Sequence, residues 1–165
     1  MEKFFCIVIS LLVTFSFSGC HIRENGHSLQ AFTERVNTLS NEWEIDVNGF
    51  IFDDKDKTFT KFFKFTESEI MVQVEQNKSN ELCALHIVFD NLTENNTREI
   101  DFIKNIMFSF INNDNLTTDL LSKINFDDAI FKKDINTKAI KNGNTELKVD
   151  VTEIGTVISV YQNIP

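Results

Sequence analysis

Beyond the first 27 residues, the hydrophobic and polar positions alternate between two periods. Leu29, Phe32, Val36 and Leu39 recur every three to four residues, with Glu34 and Arg35 on the opposite side, and Ser28 stands where a cap belongs, which predicts an amphipathic helix from about residue 28. Period two then takes over. Strands are expected over Glu44–Asp53 (Ile45, Val47), Thr58–Phe65 (Phe59, Phe63, Phe65), Glu69–Gln76 (Ile70, Val72, Val74) and Leu82–Asp90. Breakers separate them at 53–57, 66–68 and 77–80, so neighbouring strands should run antiparallel. The fourth run is apolar on both parities except at His86, the pattern of a strand in the middle of a sheet.

A helical period returns after Asn96, with Glu99 at capping-box spacing and Ile100, Ile103, Met107, Phe110 and Ile111 in one stripe. Asn112–Asp114 ends it, and Leu116, Leu120, Leu121 and Ile124 predict a second, shorter helix. Weak strand signals follow at Ala129–Lys133 and Ala139–Lys141. Clear ones cover Thr145–Thr152 and Thr156–Tyr161, with hairpin turns at 142–144 and 153–155. Helix, four strands, two helices and two or three strands make an α+β plan. Its expected form is an antiparallel sheet of six to seven strands with the N-terminal helix and the central helix pair on one face.

The start of the chain has a different pattern. Phe4 to Phe17 is a nearly unbroken apolar run, shorter than the ~20 residues a spanning helix needs, and small residues close it at Phe17-Ser18-Gly19-Cys20. This segment resembles the lipobox signal of bacterial lipoproteins, although Phe17 replaces the usual aliphatic residue and the basic start holds only Lys3 beside Glu2. The resemblance covers the first 20 residues. It implies cleavage after Gly19, a diacylglycerol on the sulfur of Cys20, and a protein held to the membrane outside the cytoplasm. The expected organisation is a signal peptide over 1–19, a tether over 20–27 and one domain over 28–165. The rhythm of the helices at 96–112 and 115–124 and the strands after them is similar to that of several small lipoproteins of low-GC bacteria, a likeness of pattern that carries no activity.

Charge narrows the partners. The net charge is −9, and removing residues 1–19 takes away one Lys and one Glu, so it stays −9. Such a chain repels phosphate backbones and anionic headgroups, so no nucleic-acid partner is expected and the membrane would be reached through the lipid on Cys20. Of the three cysteines, Cys6 would leave with the signal and Cys20 would be acylated. Cys83 is then expected as a lone, small buried hydrophobe with no intrachain disulfide.

Candidate chemistry is sparse. His21 and His27 lie in the tether and His86 in a strand, so no histidine pair has metal-ligand spacing. The run Asp53-Asp54-Lys55-Asp56 lacks the ligand alternation, central Gly and distal Glu of a calcium loop and is expected as a turn, and Asp127-Asp128 as a turn or helix cap. Cys83 and His86 lie three apart on a strand, on opposite faces. There is no Gly-x-Ser-x-Gly elbow, and the five glycines are scattered, leaving no phosphate cradle.

No cofactor, metal or catalytic residue is therefore expected. The expected role is a non-enzymatic binding module for a protein or cell-wall partner in the envelope. Two alternatives remain open: an immunity or inhibitor lipoprotein acting on a basic extracellular toxin, and an envelope hydrolase whose carboxylates, such as Asp90, Glu94 and Asp101, meet only in the fold. Seventeen Phe against one Tyr and one Trp leave two further questions. Phe62 is out of parity with Phe59, Phe63 and Phe65, so the second strand should present aromatics on both faces, and Trp43 is expected as a core plug.

Overall fold

A computed structural model describes residues 28–39, 45–66, 68–90, 92–131 and 136–162. Trp43, Cys20, the tether and the signal segment lie outside the described residues. The elements are α1 (Leu29–Leu39), β1 (Ile51–Asp53), β2 (Thr58–Lys64), β3 (Glu69–Gln76), β4 (Leu82–Phe89), α2 (Thr97–Ile111), α3 (Asp114–Ile124), α4 (Phe126–Phe131), β5 (Asn136–Asn142), β6 (Thr145–Thr152) and β7 (Gly155–Gln162). This is the expected α+β plan. All seven strands join one antiparallel sheet in the order β1-β2-β3-β4-β7-β6-β5. Two meanders thus meet where β4 lies against β7. Every residue of β4 is buried, as its unbroken apolar run predicts.

Strand parity divides the sheet chemically. Ile70, Val72 and Val74 of β3, Leu85, Ile87 and Phe89 of β4, and Ile158 and Val160 of β7 point into the main core with the helices. From α2, Ile100, Phe102, Ile103, Ile106, Met107 and Phe110 fill the other side of that core. Phe102 is fully buried between Phe63 and Phe65, with ring centroids 4.7 and 5.4 Å away. Phe62 has the other parity, as expected. It packs with Met71, Val88 and Val157 in a small separate cluster on the second face of the sheet.

Local chemistry fixes the ends of the elements. The Ala31 N–H donates to Ser28 Oγ at 3.1 Å, the expected cap of α1. Asn37 then braces the returning chain, donating to the Ile45 carbonyl at 3.1 Å and accepting from its N–H at 2.7 Å. The last turn of α2 has its carbonyls satisfied from three directions. Asn112, in the left-handed conformation, donates to Phe108, the Arg35 side chain to Ser109 at 2.7 Å, and Gln162 to Ile111 at 3.2 Å. Both hairpins of the second meander form at the expected places, with Asn142 opposite Thr145 and Thr152 opposite Gly155.

Several expectations need correction. The strand expected over Glu44–Asp53 is reduced to Ile51–Asp53, because Asp46 caps the Asn48 N–H and turns Val47–Gly49 into one 3-10 turn. The capping box does not close. Asn96 Oδ1 accepts instead from the Thr93 N–H and hydroxyl, and Glu99 accepts from Ser68 Oγ at 3.1 Å. Ala129–Phe131 is helical rather than extended, since left-handed Asn125 restarts the chain as α4 with Asp127 and Asp128 in its first turn, where acidic groups favour a helix. The central helices are therefore three and not two. Leu39 is half exposed, and Arg35 turns inward to α2.

Candidate functional site

The one histidine among the described residues lies at the centre of the sheet's second face. His86 on β4 is paired across the ladder with Ser159 on β7, and both are fully buried. Its Nδ1 lies 3.0 Å from Ser159 Oγ, and its Nε2 lies 3.1 Å from Glu75 Oε1 on β3. Tyr161 meets the imidazole edge-on at 5.6 Å between ring centroids. A carboxylate can only accept, so the Nε2–H donates to Glu75, while Nδ1 and the Ser159 hydroxyl share the second hydrogen bond.

That order, serine to histidine to carboxylate, is also the order of a nucleophilic relay. Acyl transfer needs more: an approachable hydroxyl and N–H donors where negative charge develops. Ser159 is fully buried, and its strand is paired on both sides, with β4 and with β6. What the arrangement accomplishes in the fold is a polar tie across three strands. Beside it, Asp150 on β6 accepts from Thr137 at 2.6 Å and pairs with Lys148 at 2.7 Å.

A second feature lies in the helix layer. The outward sides of α2 and α3 and the start of α4 leave a cleft of about 350 Å³, within the range of small-ligand sites. Phe108 and Leu121 give it apolar walls over the buried Phe126 ring, and Lys104, Ser122 and Asp127 stand among its polar groups. Lys104 pairs with Asp127 at 2.8 Å and lies 5.9 Å above the Phe126 ring. Asn125, in the left-handed conformation, closes α3 by donating to the Leu121 and Ser122 carbonyls.

The residues singled out in the sequence fall elsewhere. Asp90, Glu94 and Asp101 are exposed, at the end of β4, in the next turn and on α2. The Asp90 carboxyl is raised from its ordinary value by desolvation and then by the nearby charge of Glu69. The acidic run 53–56 builds the β1–β2 turn, where Asp53 accepts from the Lys55 N–H and Asp54 pairs with Lys57. Among the described residues no cluster of metal-ligating groups forms, and no helix is long and apolar enough to cross a membrane.

Cys83 is buried as expected, at a point where the β3–β4 register slips so that Ala84 faces Glu75 and Leu82 faces Gln76. Its Sγ lies 3.6 Å from the Glu75 carbonyl oxygen across the β3–β4 ladder.

Neither the relay nor the cleft is spelled out by local spacing. Glu75 and Ser159 lie 11 and 73 residues from His86, and the cleft is made by three helices. The available signal was His86 itself, because a polar ring in an apolar run must find partners across the sheet. No family model, no curated protein and no solved structure matches this chain.

Proposed function

We propose that this protein is a lipid-anchored binding module of the bacterial cell envelope, without enzymatic activity. The observation that carries the reading is Phe17-Ser18-Gly19-Cys20 closing the apolar run from Phe4, only eight residues ahead of the cap of α1 at Ser28. Residues 20–27 can span at most ~30 Å, so a lipid on Cys20 keeps the domain close to the bilayer surface. The charge of −9 makes the acyl chains the attractive term for the membrane, since the domain itself is repelled by anionic headgroups.

Binding rather than chemistry is supported by where the polar groups lie. The nucleophile-like relay is committed to holding three strands together, while the helix layer offers an open cleft. Fractionation of cells expressing the wild-type chain and Cys20→Ala tests the anchor. The wild type is expected with the membranes in the absence of detergent, and the variant is expected to lose that association. A wild-type protein recovered entirely from the soluble fraction would overturn the proposal.

A further inference from the structure

We propose that the cleft between α2, α3 and α4 receives a basic, amphiphilic peptide segment, with one apolar side chain against Phe108 and Leu121 and a neighbouring Lys or Arg at Asp127. The inference rests on the binding-module reading and adds the chemistry of the partner. The walls decide the apolar part: Phe108 and Leu121, both partly exposed, line a space of about 350 Å³ above the buried Phe126 ring, enough for one large side chain.

The sign of the charged part follows from weighing the two groups at the rim. Asp127 has 59% of its side chain exposed and Lys104 31%, and today they neutralise each other. An acidic peptide would have to take Lys104, leaving Asp127 uncompensated next to a second carboxylate on a domain already carrying −9. A basic peptide takes Asp127 instead and releases Lys104 to water, and the long-range field attracts it. The C-terminal end of α3 and the first turn of α4 meet at the cleft, so their opposite poles offset and the sign rests on Asp127 and the net charge.

The test is an NMR titration of the purified protein with two capped tripeptides, acetyl-Lys-Phe-Lys-amide and acetyl-Glu-Phe-Glu-amide, following the Leu121 methyl and Phe108 ring signals. The Lys peptide is expected to shift both saturably and the Glu peptide to leave them in place. Two surface-charge variants then move affinity in opposite directions. Asp127→Asn should weaken the Lys peptide by about twofold to fivefold, and Lys104→Gln should strengthen it by a similar factor, the range expected for one exposed ion pair. Binding of the Glu peptide in preference, no shift with either peptide, or weakening by Lys104→Gln would each overturn the proposal. Membrane association is read separately, so a failed titration leaves the anchor standing and a soluble protein leaves the cleft chemistry standing.

Discussion

Removing the serine of the central relay should destabilise the fold by more than its small volume suggests. In Ser159→Ala the Nδ1 of a fully buried imidazole loses a partner at 3.0 Å, while the bond from Nε2 to Glu75 persists. A net hydrogen bond is worth about 1 kcal/mol, and stranding one buried partner raises the cost to about 1–3 kcal/mol. The double variant Ser159→Ala/His86→Leu removes both ends of that bond and leaves only Glu75, whose side chain is 17% exposed and can recruit water. The two single costs should therefore not add, and the cycle should show a coupling of at least about 1 kcal/mol. Urea unfolding followed by far-UV circular dichroism measures this, provided that the slope with denaturant is common to all four proteins. A Ser159→Ala cost below about 0.3 kcal/mol, or strictly additive costs, would refute the view that the relay ties β3, β4 and β7.

Three further expectations follow from the packing. Phe102→Ala removes a fully buried ring held between Phe63 and Phe65 and should cost about 3–5 kcal/mol, read from the urea midpoint. Gly155→Ala should be destabilising by about 1–3 kcal/mol, since Gly155 has φ near +151° and a new Cβ would come 2.6 Å from the Phe89 carbonyl oxygen; a melting temperature within 1 °C of wild type would refute it. Asp90→Asn should stabilise the protein at pH 7. The folded Asp90 carboxyl holds its proton more tightly than the unfolded one, so its contribution favours folding in acid, is lost as pH rises through the raised value, and opposes folding once the group is ionised. The gain in melting temperature should shrink as pH falls through the carboxylate range, and a gain that grows in acid would contradict the assignment.

How far the fold was legible depended on whether a pattern was closed locally. The all-apolar run Leu82–Phe89 announced a central strand because burial on both faces leaves no polar parity. The turn at Gly143 and Asn144 announced a hairpin because Gly143 supplies the positive φ such turns need. Failures came where side chains compete with the backbone. Asp46 captures the Asn48 N–H and curls a segment with strand-like alternation, and Asn125 restarts a helix where β-branched and aromatic residues suggested a strand. The relay needed the order β3-β4-β7, which no local period contains. The cleft needed three helices to converge, which the period of any one of them does not report.

The proposed lipid on Cys20 is tested most directly by intact and peptide mass spectrometry of the membrane-extracted protein, with and without reductant. A thioether at Cys20 leaves its sulfur unable to join a disulfide, and Cys6 departs with residues 1–19, so the processed protein holds no second thiol for Cys83 to bond within the chain. The predicted result is a polypeptide beginning at a diacylated Cys20, with Cys83 a free thiol that one alkylating group modifies without prior reduction. A chain that retains residues 1–19, or one whose Cys20 is disulfide-linked to Cys83, would contradict it.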